Sequence, residues 1–302
     1  MALSVGIVGL PNVGKSTLFN ALSDKQAEAA NYAFCTIDPN VGIVPVPDPR
    51  FEKLVELHQP KKVVPATVEF VDIAGLVRGA SKGEGKGNAF LSNIRDADAV
   101  AHVVRCFEDE NIVHVDNRVD PLADIETIET ELILKDLETV QKRLDKAERA
   151  AKGQDAFEKK ALALCKRLEE ALDSGKPATA VSANDEDEAK ILQDLFLLTN
   201  KPSFFVVNVK DDQLAEVDSD PLVQKVLSLG AERGVPVVVI SAAIESEIMQ
   251  LPEEERGEFI ESLGLDEPGL HKVIRTGYAT LDLITYFTAG EPEVHAWTIA
   301  RG

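Results

Sequence analysis

Basic residues are in short supply in this chain: 32 Lys and Arg face 52 Asp and Glu, a formal net charge of −20. Phosphate backbones repel such a surface, so non-specific nucleic-acid binding is disfavoured and sequence-specific DNA binding is not expected. The pair Lys61-Lys62 is too short to make a basic patch and reads as two solvated side chains. Cysteine is equally sparse. Cys35, Cys106 and Cys165 lie far apart with no C-x-x-C pair, which argues against a disulfide framework or a zinc site and suits a reducing cytoplasm. Long apolar runs are missing too. No stretch approaches the roughly 18 residues that a membrane span requires, so no membrane partner is expected. The opening Met1-Ala2-Leu3-Ser4 lacks the basic region of a secretory signal.

What is present is material for a core: 44% of the 302 residues are hydrophobic, with length enough for two domains. Ala2 to Val8 reads as a buried strand and Lys15 to Ser23 as the helix after a glycine-rich turn. Further strands are expected at Pro65–Val71, Ala97–Cys106, Ser203–Val207 and Val235–Ile240. Strands alternating with helices indicate an α/β domain with a mostly parallel sheet, whose ligands bind at the carboxyl ends of strands. The middle of the chain differs. Ile133, Leu137, Val140, Leu144, Ala147 and Ala151 form a heptad-like seam. Phe157, Ala161, Leu164 and Leu168 form a second after the turn at 152–155. Together they predict an antiparallel helical hairpin inserted in the α/β domain. After Pro252 a helix is expected to end at Gly264, and from Leu281 to Ile299 two β-like runs flank the turn Ala289-Gly290-Glu291-Pro292.

The most informative stretch is "GLPNVGKST", Gly9 to Thr17, directly after the first strand. Gly9-x-x-x-x-Gly14-Lys15-Ser16 is a P-loop in its proper context, strand before and helix after. Glycines let backbone N–H groups from residues such as Asn12, Val13, Gly14 and Thr17 turn toward phosphate oxygens, and the helix N-terminus adds partial positive charge. Lys15 supplies a compact cation for the outer phosphates, and the Ser16 hydroxyl a ligand for Mg2+. Asp72-x-x-Gly75 follows the next strand, as expected for a carboxylate acting on that metal and a glycine amide facing the γ-phosphate. Thr36, between the first helix and the rest of the sheet, is placed to close on the metal.

These motifs, with "GLVRGASKGEGKGNAFLSNIRDADAV" from Gly75, resemble the Obg branch of translation-factor-type P-loop NTPases. More narrowly, "NYAFCTIDPNVG", "RCFEDENIVHV", "SAAIESEI" and "YFTAGEPEVHAWTI" are similar to the YchF family of Obg-like ATPases. The resemblance implies an Obg-type G domain in two parts (1–122 and 201–275), a helical hairpin inserted at 123–200, and a TGS-like β-grasp segment at 276–302. Members continue further, so that last segment is expected to be incomplete. The resemblance also implies slow, Mg2+-dependent ATP hydrolysis in the cytoplasm, association with ribosomes or their subunits, and a catalytic role for His114 beside Lys15. Where Ras-like enzymes carry a water-orienting glutamine stands Leu76, which neither donates nor accepts a hydrogen bond. A neutral imidazole at His114 could accept the proton instead. Gly79, Gly83, Gly85 and Gly87 suit a switch loop. Asn12 matches a position that holds K+ in related potassium-dependent enzymes.

Base choice rests on Asn208-Val209-Lys210-Asp211. Val209 stands where guanine-specific proteins stack a lysine, whereas Asp211 retains the carboxylate that can accept from guanine; the family usually carries Glu there. ATP is the expected nucleotide, read by backbone groups and the Asn208 amide, with GTP read by Asp211 as the alternative. Ser241-Ala242-Ala243 is the expected last base-contacting loop.

Overall fold

Runs of Val, Ile, Ala and Phe bounded by turn residues become the central strands. The computed structural model describes residues 3–28, 40–73, 91, 93–112, 114, 118–151 and 155–301, the side chains of 25–28 and 151 excepted. Strands β1 (Ser4–Val8), β2 (Val41–Pro45), β4 (Thr67–Asp72), β5 (Ala99–Arg105), β6 (Ser203–Asn208) and β7 (Val237–Ile240) form one sheet in the order β2-β4-β1-β5-β6-β7. All neighbours are parallel except β2, which runs antiparallel to β4 with Val44 opposite Val68. β5 is buried at every position, the near-continuous apolar strand expected where helices cover both faces of a parallel sheet. β1, β4, β5 and β7 start two residues later than expected, whereas β4 and β6 each run one residue further, to Asp72 and Asn208. β2 was not foreseen in the sequence.

Helices begin and end on recognisable chemistry. Helix α1 (Lys15–Glu28) leaves the P-loop, running past the expected Ser23. Helix α2 (Pro49–His58) starts on Asp48, whose carboxylate accepts from the Arg50 amide, and ends on Gln59 in the left-handed region. Three further helices lie between residues 121 and 194 and are introduced below. Helix α6 (Pro221–Arg233) has Asp220 as its N-cap and Gly234 at φ 66° as its stop. Helix α7 (Ala242–Gln250) is capped by Ser241, α8 covers Glu253–Ser262, and α9 covers Gly269–Thr280. The expected division at 275/276 thus falls inside α9.

A second sheet has the order β3-β9-β8, built from β3 (Val63–Val64), β8 (Leu283–Ala289) and β9 (Val294–Ala300). The C-terminal hairpin therefore does not stand alone: β9 pairs in parallel with residues more than two hundred positions earlier in the chain, Val63 opposite Val294.

The residues divide into two compact units. The first holds both sheets. The second takes the described residues within 76–96 and 123–201. It contains most of α3 (Pro121–Ala151), α4 (Ala156–Asp173) and α5 (Glu186–Asp194). Val140, Ala147, Ala161, Leu164 and Leu168, all from the two expected seams, pack in one core with Cys165 and Leu172. Arg143 makes two hydrogen bonds to the Glu158 carboxylate, tying α3 to the returning α4. Phe157 departs from the expected seam and is exposed, in the first turn of α4. The core also draws on Ala178, Ile191, Leu195 and Leu197, so a third helix completes what the sequence suggested was a two-helix hairpin. Among the described residues no helix is long and apolar enough to cross a membrane.

Candidate active site

β1 ends at Val8 and α1 begins at Lys15, so the six intervening residues must turn sharply at the carboxyl end of the sheet. Gly14 allows this: its φ is 93°, and a Cβ there would lie 2.1 Å from Asn208 Nδ2. Asn12, at φ 64°, supplies the other left-handed step. Lys15 is buried, and its ammonium contacts the Asp72 carboxylate. That meeting follows from the register, because Ile7 on β1 lies opposite Asp72 on β4. Ser16 and Thr17 stay exposed in the first turn of α1.

Beside this loop opens a cleft of about 580 Å³, within the range of small-ligand pockets. Asn12, Gly14 and Thr17 form its floor. One wall comes from the end of β6 and the start of α7: Asn208, Val209, Lys210, Asp211, Ala242 and Ala243. The opposite wall is the loop after β5, with Phe107, Asp109 and Ile112. Asn208 is a structural rivet as well as a lining residue. Its Nδ2 donates to Val13 O at 2.9 Å and its Oδ1 accepts from the Ala242 amide at 2.9 Å, joining P-loop, β6 and α7. Ser241 donates its hydroxyl to Asp211 Oδ1 at 2.5 Å, fixing that carboxylate. Gln213 accepts from the Lys210 amide and donates to Cys106 O, stitching the two walls together from behind. In front, Lys210 Nζ lies 3.4 Å from Asp109 Oδ2.

With a P-loop, a strand-end aspartate and this cleft in place, comparison with known proteins becomes decisive. The chain is 53% identical over its 302 residues to the Ribosome-binding ATPase YchF of Bacillus subtilis and 50% identical to that of Haemophilus influenzae, covering 82% of each. It belongs to the YchF family. The 50S ribosome-binding GTPase family also matches residues 4–137. A solved structure described as the Schizosaccharomyces pombe YchF GTPase superposes with a TM-score of 0.87 at 39% identity, covering 99% of this chain and 81% of that one.

In this family member the P-loop, Asp72, Asn208 to Asp211 and Ser241 to Ala243 all lie at the carboxyl ends of parallel strands of the main sheet. Thr36, Gly75, Leu76 and the glycines from Gly79 to Gly87 lie outside the described residues. His114 is described and is buried, 5% exposed. Of the ligands expected for Mg2+, the described residues include a hydroxyl, Ser16, and a carboxylate, Asp72. These are hard oxygens, and their small number fits an ion that keeps waters and nucleotide oxygens as its other ligands. Among the described residues no cluster of three acidic, His or Cys side chains offers an alternative all-protein metal site. Sequence reasoning missed Phe107, Asp109, Ile112 and Lys210. The first three lie inside the family-like stretch "RCFEDENIVHV", but nothing in it assigns them a role, and their place on the cleft comes from β5 pairing with β6. Lys210 was passed over because it stands one position beyond the stacking lysine of guanine-specific loops.

Proposed function

We propose that this protein is a Mg2+-dependent ATPase of slow turnover, and that its nucleotide state switches its association with ribosomes or their subunits in the cytoplasm. The observation that carries this reading is the joining of Lys15, Asp72 and the cleft wall at the P-loop through the Asn208 amide. One rigid unit can thereby hold outer phosphates, metal and base together. The relatives' name, Ribosome-binding ATPase, supports both the nucleotide and the partner. Bound Mg2+ would be held by Ser16 and Asp72, with Thr36 closing on it, and would neutralise charge on the β- and γ-oxygens. Lys15 would then leave Asp72 for the phosphates. Gly75 would donate its amide to the γ-phosphate, and His114 would take the proton of the attacking water. With Leu76 in place of a glutamine, turnover without a partner is expected to be slow.

A second reading, GTP hydrolysis, is favoured by one contact. The Ser241 hydroxyl steadies Asp211, the carboxylate that would accept from guanine, and the fission-yeast relative is described as a GTPase. Val209 argues the other way, since its buried side chain offers no stem to stack on the base. Competition of ATP and GTP against a fluorescent nucleotide at fixed Mg2+ separates the two. Displacement by ATP at much lower concentration supports the ATPase; a GTP advantage transfers base reading to Asp211. His114→Ala should stop turnover while ATP binding persists, and unchanged turnover would remove His114 from the mechanism. For K+ at Asn12 the test is turnover in potassium against sodium chloride at equal ionic strength, where equal rates would rule it out.

A further inference from the structure

Arg105 is the last residue of β5 and one of the most buried side chains in the chain, 1% exposed, yet the reaction just described gives it no role. A guanidinium stays charged in any protein interior, so burying it is tolerated only where its N–H groups find acceptors. Here they find the loop that walls the cleft. Nε donates to Phe107 O at 2.9 Å and Nη1 to Ile112 O at 3.0 Å, the two ends of that wall. The guanidinium carbon also lies 4.5 Å from the centroid of the Phe107 ring. One planar group thus holds both carbonyls and one aromatic face. Within the clasp, Asp109 O accepts from the Ile112 amide and Asp109 Oδ1 from the Asn111 amide, which leaves Oδ2 toward Lys210 on the far wall. His114 follows two residues after the second clasped carbonyl.

We propose that Arg105 is a positioning residue: it sets the wall against which the purine packs and the point from which the His114 segment departs. This rests on the nucleotide reading above and extends it to a group that touches neither base nor phosphate. Lysine cannot replace it, because a single ammonium cannot bond two divergent carbonyls while lying flat on a ring.

The test compares wild type, Arg105→Lys and Phe107→Leu for binding of ATP and of inorganic tripolyphosphate, for turnover at saturating ATP, and for thermal midpoint. The base-wall role predicts that Arg105→Lys binds ATP about ten-fold more weakly, the scale of a lost charge-assisted hydrogen bond, with tripolyphosphate affinity within about two-fold of wild type. Turnover at saturation should also fall, since the His114 segment loses its anchor, and Phe107→Leu should weaken ATP binding with less effect on turnover. Unchanged ATP affinity and turnover in Arg105→Lys would overturn the assignment. Equal loss for ATP and tripolyphosphate, tracking a lower thermal midpoint, would overturn it too by reducing Arg105 to a stabilising residue. A wild-type protein that binds ATP no better than tripolyphosphate would fail the nucleotide reading itself, and this inference with it.

Discussion

The two compact units treat buried polarity in opposite ways. In the helical unit polar groups close on one another. Arg143 and Glu158 bond in a bidentate pair, and Asp136 accepts from the Leu198 and Thr199 amides and the Thr199 hydroxyl at 2.7 to 2.8 Å. In the unit that holds the P-loop Lys15, Arg105, Asn208 and Ser241 are buried too, but they stand at or just after strand ends, beside a cleft that Asn208 lines. Burial of a polar group in the first unit completes the fold; in the second it prepares a surface for something else. Preorganised charges and amides raise local free energy until a ligand takes them up, which is why such groups gather where chemistry occurs.

That contrast can be broken most forcefully at Lys15. Lys15→Ala should lower nucleotide turnover roughly a hundred- to a thousand-fold, the range for removing one preorganised electrostatic donor, while the thermal midpoint barely moves. Single-turnover assays and a melting curve on the same sample check both halves. Next in size is Leu164→Ala in the helical core, a fully buried side chain. It should cost about 3 kcal/mol in unfolding free energy and leave ATP affinity untouched. A matching loss of affinity would show that the units are energetically inseparable.

The third test is pH. His102 on β5 is buried beside Phe205, and burial pulls its pKa down to about 4 from 6.5. The folded state therefore resists protonation that the unfolded chain accepts. Stability is complete above about pH 6.5 and falls as pH drops toward 4, by about 3 kcal/mol in all. His102→Leu should remove that component, read as a flatter pH dependence of the denaturation midpoint; an unchanged slope would refute it. The smallest effect is expected at Arg143→Met, where a half-buried pair on the helical unit should be worth about 1 kcal/mol by chemical denaturation, with no change in turnover.

How far the sequence could be read differs between the same two regions. The P-loop was legible because its function needs contiguous residues: Gly14 for a positive φ, Lys15 for charge, Ser16 for an oxygen ligand, all within one turn. The two helical seams were legible because a 3.5-residue period survives in the string. β2 was not, since an edge strand of Val, Gly, Ile and Pro carries little alternation, and its antiparallel pairing with β4 depends on the path between them. The third helix of the helical unit was missed because its apolar face is short and is buried only when α3 and α4 are already in place.

The sequence by itself determined the nucleotide loop, the alternation that makes a parallel sheet, and the family. These are properties of local spacing and of long stretches of identity. Only the tertiary structure decided that Phe107, Asp109 and Ile112 face Asn208 to Asp211, that Asn208 rivets three elements, and that Arg105 clasps the wall between them. The facing walls and the Asn208–Val13 bond join residues about a hundred or more positions apart through strand order, β1 beside β5 and β5 beside β6, and the Arg105 clasp, local in sequence, acts on one of those walls. Strand order is set by which apolar faces bury one another once the chain has collapsed, and no local pattern encodes it.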